Sequence, residues 1–384
     1  MVPTKFYEIA ILGGGVAGAA AAIHLSRLGY PVTLFEREKM PRPKMCGEFL
    51  SPETVKLLEE IPIVLDDSGA TSYKHFRLHS SHFTLESQFP FPTRGLSRHK
   101  LDSLLLLEAE KLGTNVLRGA NVSHFEWDPA SETFFIKYKA AGATDTQNHQ
   151  SRTLFFATGK HPLKNLHPRF GLESKNIGYK MVFQLSPKNT ERLSETMEFF
   201  SFPQGYAGLS LVENQQANLC FIVRQSLARK TGSTFEKILN HLKFRHKTLA
   251  LYLQDAIPLW KNPLVISGIP YGFLESKKNE IPSPLYYLGD QLAVIPSFTG
   301  TGIAIALWSA KKAALAFHQR QSPTQYHNSC KAELQSPMTL CCTLHKLFQI
   351  SWLTSLSILL LKFSPTLLKI LFHKTRVLTT QPRK

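Results

Sequence analysis

Gly13, Gly15 and Gly18 spell G-x-G-x-x-G, and Glu36 follows 18 residues after the last of them. In that pattern the first glycine permits a tight turn and the second lets a pyrophosphate reach the backbone. The third lets a helix pack close to the strand before it. A carboxylate at the end of the next strand accepts hydrogen bonds from ribose hydroxyls. The chemistry indicated is the holding of a dinucleotide, provided that a strand precedes the glycines and a helix follows them. Both are legible. Tyr7 to Leu12 is an apolar run suited to a strand buried on both faces, and Ala17 to Leu28 is an alanine-rich helix closed by Gly29. Tyr30 to Phe35 supplies the second strand, so Glu36 stands at its end. The helix N-terminus offers unpaired N–H groups and a partial positive charge to phosphate. The motif alone does not separate NAD from FAD; its place almost at the N-terminus leans towards FAD.

Four further stretches carry candidate contacts. Arg37 to Glu53 reads as an extended loop, because Pro41, Pro43 and a run of basic residues come directly after Glu36. It has to pass near the nucleotide, where Arg42 and Lys44 either neutralise phosphate or are simply solvated. Cys46-Gly47-Glu48 follows, and Ser51-Pro52 opens a helix. Leu96 to Val122 holds Arg98 in S-R-x-x-L-D, apolar residues at helical spacing, a stop at Gly113 and a short strand, Asn115–Arg118. Leu154 to Gly159 is a buried strand running into a glycine. Leu285 to Gly302 is a strand ending in Gly289-Asp290, then a loop with Pro296, Phe298, Gly300, Thr301 and Gly302; Ile303 to Phe317 is a long helix.

These stretches, in this order and at these distances, resemble the FAD-dependent monooxygenases and reductases of the para-hydroxybenzoate hydroxylase fold. Within them the likeness is to the geranylgeranyl reductase and halogenase-like branch, over about residues 5 to 320. The resemblance implies an α/β fold: a Rossmann-type FAD-binding domain with an inserted antiparallel β-sheet substrate domain and a C-terminal helical tail. The FAD-binding domain is expected at 1–60, 93–177 and 273–330, the substrate domain at 61–92 and 178–272, and the tail at 331–384. It also implies roles. Glu36, with Arg37 beside it, would hold the adenosine ribose, and Arg98 would approach the pyrophosphate. Val122 would frame the adenine through its backbone. Asp290 would bind the ribityl or pyrophosphate region, and Gly159 and Gly289 would also contact the cofactor. Cys46, Gly47 and the Pro296 to Gly302 loop would lie against the isoalloxazine. Reduced flavin carries negative charge at its N1–O2 edge, and N–H groups at Gly300 and Gly302, with the start of the following helix, suit that charge.

Some residues depart from the family pattern. Gly289-Asp290-Gln291-Leu292-Ala293 stands where the family has G-D-A-A-G, Thr301 stands where it has an acid, and its D-G motif is reduced to Ala157-Thr158-Gly159. The halogenase W-x-W-x-I-P motif is absent, since Trp127, Trp260, Trp308 and Trp352 are isolated, so Lys74 reads as an ordinary surface lysine and halogenation is disfavoured. There is no second G-x-G-x-x-G and no G-x-S-x-G.

The longer insert reads as antiparallel strands over Lys180–Leu185, Glu198–Phe202, Ala207–Val212 and Ala217–Val223, with a helix expected from Phe235 to Gln254. Tyr206, Phe202 and Phe298 are candidate substrate-pocket walls; aromatics also commonly fill sheet cores. The 15 histidines form no metal-ligand spacing and are read as surface or loop residues, so no metal is expected. Five cysteines at irregular spacing indicate a reducing compartment, and Met1 to Lys5 is too short for a secretory signal, so a cytoplasmic location is expected.

The net charge is +17, and seven of those units come from lysines and arginines after Glu333, where no acid occurs. No nucleic-acid motif accompanies the charge, so nucleic acid is not an expected partner. Leu347–Leu361 and Leu367–Phe372 are apolar, too short for a spanning helix, and suit either an anchor on the inner membrane face or a cap on the protein itself.

The expected activity is that of an FAD-dependent oxidoreductase, specifically a monooxygenase that uses NAD(P)H and oxygen to hydroxylate a bulky apolar substrate of lipid, polyketide or quinone type. Flavin-dependent reduction of an alkene in a prenyl lipid is the alternative. A flavin-binding accessory protein without turnover is the reading from another class. No side chain is assigned as a catalytic acid or base.

Overall fold

Ile9–Leu12, buried along its whole length, is the middle strand of a five-stranded parallel sheet. The order is Leu285–Tyr287, Thr153–Phe156, Ile9–Leu12, Val32–Glu36 and Asn115–Arg118. The computed structural model describes residues 9–160, 175–275, 284–348 and 350–376. Tyr7 and Glu8, expected in the first strand, and Arg383 and Lys384 of the basic tail lie outside these residues. Register aligns Leu12 with Phe35 on one side and Phe156 on the other, and Phe156 with Tyr287. Gly13, Glu36, Ala157 and Leu288 therefore leave the sheet at one edge, outside the carboxyl ends of its strands, where ligands bind in open α/β sheets. Helix Val16–Arg27 packs against helices Arg98–Lys111 and Gly302–His318. A side chain on Gly18 would place its Cβ 1.8 Å from the Gly13 carbonyl oxygen, so only glycine permits this closeness.

The two inserts fold into one nine-stranded sheet. Thr71–His79 and Thr84–Gly95 form a hairpin, and Thr196–Phe202 joins it in parallel, aligning Phe199 with Leu78. Gly205–Leu211, Ala217–Arg224 and Asn176–Gln184 follow in antiparallel order. Strand Thr84–Gly95 runs past residue 92 and pairs Arg94 with Leu50, so it carries the sheet into the region expected for the FAD-binding domain. A further three-stranded sheet, over Ala120–Asp128, Thr133–Ala140 and Gln147–Ser151, was not expected from the sequence.

Period-two alternation divides the large sheet. Phe200, Phe202, Ala207, Leu209, Leu219 and Phe221 face helices Phe235–Arg245 and Lys247–Tyr252 in one core. Met197, Phe199, Tyr206, Gly208, Cys220 and Ile222 face a cavity on the other side. Phe202 is thus a core residue, 2% exposed, and not a pocket wall; its parity with Phe200 decides this. The helix expected over Phe235–Gln254 is broken at His246, whose φ of −124° and ψ of 95° are extended.

The histidines are not all surface or loop residues. His79, His246, His327 and His345 are buried, because each ring lies against an aromatic neighbour: Phe200 for the first two, Tyr287 for His327 and Tyr271 for His345. Among the described residues no three His, Cys, Asp or Glu side chains are grouped to hold a metal.

Pro323–Phe348, Ser351–Phe363 and Pro365–Lys374 form the C-terminal helices. Ile358, Leu361 and Leu368 pack with Phe76 and Leu85 of the hairpin. The opposite face exposes Leu356, Leu360, Phe363, Leu367 and Ile370. Among the described residues no single helix is long and apolar enough to cross a membrane; Leu356–Phe363 and Thr366–Lys374 pass that test only as a pair bent by 115°.

Candidate functional site

A cavity of about 1060 Å³ runs from the glycine turn, between the two sheets, to the C-terminal helices. At its nucleotide end, the Gly14 N–H donates to Glu36 Oε2 (2.8 Å) and the Glu38 N–H donates to Glu36 Oε1 (2.9 Å). Two backbone donors thus fix the carboxylate before any ligand arrives, and each oxygen keeps a lone pair for a hydroxyl. Gly15 caps helix Val16–Arg27 without a side-chain hydrogen bond, and no acid sits in the first turn. A Cβ on Gly15 would meet only Arg98, at 3.8 Å, so this backbone stands open to the cavity.

Arg98 lines the cavity with its guanidinium bound to Asp102, at 2.8 Å from Nε and 3.0 Å from Nη2. Arg37, Arg42, Lys44, Cys46 and Gly47 line it too. Arg42 is paired with Glu38 at 2.7 Å, and burial lowers the Lys44 ammonium below its usual range. The loop is pinned at Glu48, which is 2% exposed and sits at a φ of +60°. Its Oε1 accepts the Arg98 backbone N–H (2.9 Å) and pairs with Lys180, which is fully buried in the large sheet. Burial raises the Cys46 thiol, which therefore stays protonated at neutral pH.

Val122, Gly159, Gly289 and Asp290 also line the cavity. Gln291 donates from Nε2 to Thr158 Oγ1 (2.8 Å) and to the Gly159 carbonyl (2.6 Å), tying two cavity loops together. The departure from the family pattern at Gln291 thus has a structural task. Thr301 is fully buried and its hydroxyl lies 2.9 Å from that of Thr299. Gly300, at a φ of +67°, and Gly302 line the cavity, and helix Gly302–His318 starts there with no side-chain cap and no acid in its first turn. Pro296 is buried at the start of this loop, its carbonyl accepting from Thr299 Oγ1 (2.9 Å). Gly18, Pro296 and Thr301 are not among the lining residues; they shape the backbone that is.

The far end is walled by Phe76, Leu78, Phe89, Phe199, Tyr206 and Phe298 and closed by Leu361, Leu368 and Phe372 of the C-terminal helices. Arg376, 7% exposed, donates to the Thr299 carbonyl (3.2 Å) and faces Glu53 at 3.7 Å, so the tail is tied to the glycine loop. Lys74 does not line the cavity; it is paired with Glu195 at 2.6 Å, with its side chain 62% exposed.

Two uncapped helix N-termini opening on one cavity fit a ligand with separate anionic regions. The Glu36 carboxylate at one end fits ribose hydroxyls, and the glycine loop fits a flat ring. Those donor sets match FAD. Residues 7–149 match the family model for an FAD binding domain. The chain is an FAD-dependent oxidoreductase, and its fold is that of para-hydroxybenzoate hydroxylase. An uncharacterized protein of Methanosarcina barkeri is 26% identical to this flavoprotein over 82% of this chain and 75% of its own. Menaquinone reductase of Mycobacterium tuberculosis is 32% identical over 29% of each chain. The solved structure of a flavin-dependent brominase superposes with a TM-score of 0.78 at 16% identity, covering 98% of this chain and 95% of the other.

Sequence reasoning missed several site residues. Gly14 carries the N–H that orients Glu36, yet the motif reads only its neighbours. Lys160 lines the cavity with its ammonium lowered to about 8 by burial, against the pull of Asp290. Tyr271 and Arg376 also reach the cavity from segments with no motif, and Ser297 reaches it from within the Pro296 to Gly302 loop, where it was not singled out.

Proposed function

We propose that this FAD-dependent oxidoreductase is a monooxygenase that hydroxylates a bulky, apolar substrate of lipid, polyketide or quinone type. NAD(P)H is the proposed electron donor and molecular oxygen the second substrate. The observation that carries the reading is the far half of the cavity, whose wall of Phe76, Leu78, Phe89, Phe199, Leu361, Leu368 and Phe372 is apolar and continuous with the glycine loop. FAD, when bound, supplies hydride acceptance and oxygen activation. The chain's own part is placement and exclusion of water. Glu36 and the first helix would hold the nucleotide, and the N–H groups of the Gly300–Gly302 loop would stabilise charge on the ring. The large sheet and the C-terminal helices would keep solvent from the reacting centre.

The exposed Leu356, Leu360, Phe363, Leu367 and Ile370, flanked by Lys362, Lys369 and Lys374, support contact of the tail with an anionic membrane surface, from which an apolar substrate would enter. That contact is part of the proposal, as is a cytoplasmic location on the inner face. Reduction of an alkene is the second reading, favoured by the stretch similar to menaquinone reductase. The absence of Lys74 from the cavity wall supports setting halogenation aside.

Incubation with NADPH, ¹⁸O₂ and a panel of prenylated quinones, sterol precursors and aromatic polyketides tests the proposal. A product carrying one labelled oxygen is expected. An unlabelled product two hydrogens heavier establishes the reductase instead.

A further inference from the structure

Three hydroxyls meet where the apolar cavity reaches the flavin loop. Tyr206 Oη lies 2.7 Å from Ser297 Oγ and 3.4 Å from Tyr271 Oη, and Tyr271 Oη also contacts Ser297 Oγ. All three residues line the cavity. They come from different segments: Tyr206 from the large sheet, Tyr271 from the loop before Phe273–Leu274, and Ser297 from the turn that leads to Gly300. Most of the neighbouring wall is apolar, from Phe76, Leu78, Phe89, Phe199, Leu361, Leu368 and Phe372, so the cluster stands out from it.

The donors can be counted. Three hydroxyls carry three protons, and the two contacts to Ser297 consume two of them. The Tyr206–Tyr271 separation of 3.4 Å is long for a bond between hydroxyls. One proton is left to donate into the cavity. Burial raises both tyrosine phenols above their usual range, so they remain neutral donors, and the His345 imidazole against Tyr271 is lowered to about 4 by burial and then by Arg224. Packing holds the donors still: Tyr206 is stacked on Phe199 at 5.4 Å and set edge-on to Phe298 at 6.2 Å. A fixed, neutral donor in an apolar wall accepts a neutral oxygen and penalises a ligand that leaves it unpaired.

We propose that Tyr206, Tyr271 and Ser297 form a subsite that donates a hydrogen bond to a carbonyl oxygen of the substrate. The subsite orients an otherwise apolar molecule against the flavin loop. It rests on the apolar-substrate reading above and narrows it to molecules that bear a ketone or quinone oxygen. The three residues are specificity determinants, with no bond made or broken at them.

The test uses the FAD-loaded protein and two probes that differ at one carbonyl, 2-acetylnaphthalene and 2-ethylnaphthalene, with binding measured by titration calorimetry. The ketone is expected to bind the wild type at least tenfold more tightly than the hydrocarbon. The triple variant Tyr206→Phe/Tyr271→Phe/Ser297→Ala, which removes every donor of the cluster, is expected to reduce that preference to threefold or less, while leaving the affinity for 2-ethylnaphthalene unchanged. Unchanged hydrocarbon binding shows that the variant has kept its fold. No preference in the wild type, or one that survives all three substitutions, overturns the subsite. In that case bound FAD still leaves the broader reading standing, whereas a protein that takes up no FAD sinks the broader reading itself.

Discussion

Replacing Glu36 by glutamine tests the nucleotide end of the cavity at one atom. The carboxylate accepts from Gly14 N–H at 2.8 Å and from Glu38 N–H at 2.9 Å, one bond to each oxygen. A glutamine has a single acceptor oxygen, so whichever way its amide turns, one backbone N–H faces a donor. The remaining oxygen cannot serve both the loop and the ribose as two charged oxygens do. Hydrogen bonds to charged groups contribute about 1.5–3 kcal/mol each. Loss of one corresponds to FAD binding weaker by about 10- to 150-fold. Gly14→Ala perturbs the same carboxylate from the other side, because its Cβ would lie 3.0 Å from Glu36 Oε2 and 3.1 Å from Leu106 Cδ2. It should weaken FAD in the same direction. The assay is quenching of flavin fluorescence on titration into apoprotein, with the melting temperature as a control of fold. A glutamine variant of unchanged melting temperature that binds FAD within threefold of the wild type would refute the role given to Glu36.

Gly18→Ala should abolish both soluble yield and FAD content, since the new Cβ would sit 1.8 Å from a backbone oxygen that cannot move aside; a normal melting curve would contradict the helix–strand packing described. Burial lowers His246, His327 and His345 from 6.5 to about 4, with nearby cationic groups adding to the shift for His246 and His345. The unfolded chain therefore binds more protons between those values, and stability should fall as pH drops from 6.5 towards 4, by on the order of 3 kcal/mol per histidine. A melting temperature that stays flat across that window would count against their burial. For Arg376→Leu, the loss of the cation leaves buried Glu53 unpaired, at a cost of about 3–5 kcal/mol, and should free the last helices for proteolysis. Adding Glu53→Gln should recover most of that loss; if proteolysis of the single variant matches the wild type, the tie to the glycine loop is not what holds the tail.

The nucleotide half was legible because its signals are local. Gly13, Gly15 and Gly18 fix a turn, and Glu36 stands a fixed distance along the chain, so residue type and spacing suffice. Strands of the large sheet were legible by alternation, but alternation says only that two faces exist. Phe199 and Phe202 read alike in sequence; which parity meets the cavity is decided by pairing with Thr71–His79, a partner more than 100 residues away. The buried histidines were misread for a similar reason: a ring packed against Phe200 or Tyr271 is a tertiary fact. The tail was ambiguous because one helix carries two apolar faces. Ile358 and Leu361 turn inward and Leu360 turns outward, and no count of apolar residues separates them. Tyr206, Tyr271 and Ser297 come together from segments with no shared motif, so their meeting is visible only in three dimensions.

The most direct test of the central claim is the visible absorption spectrum of the purified protein, recorded first as isolated or after reconstitution with FAD, and then during anaerobic addition of NADPH and NADH. The account predicts a flavin spectrum of one FAD per chain that bleaches with one of the two nucleotides and returns on admission of air. A chain that takes up no flavin, even after reconstitution, would contradict the reading built on Glu36, Asp290 and the Gly300–Gly302 loop.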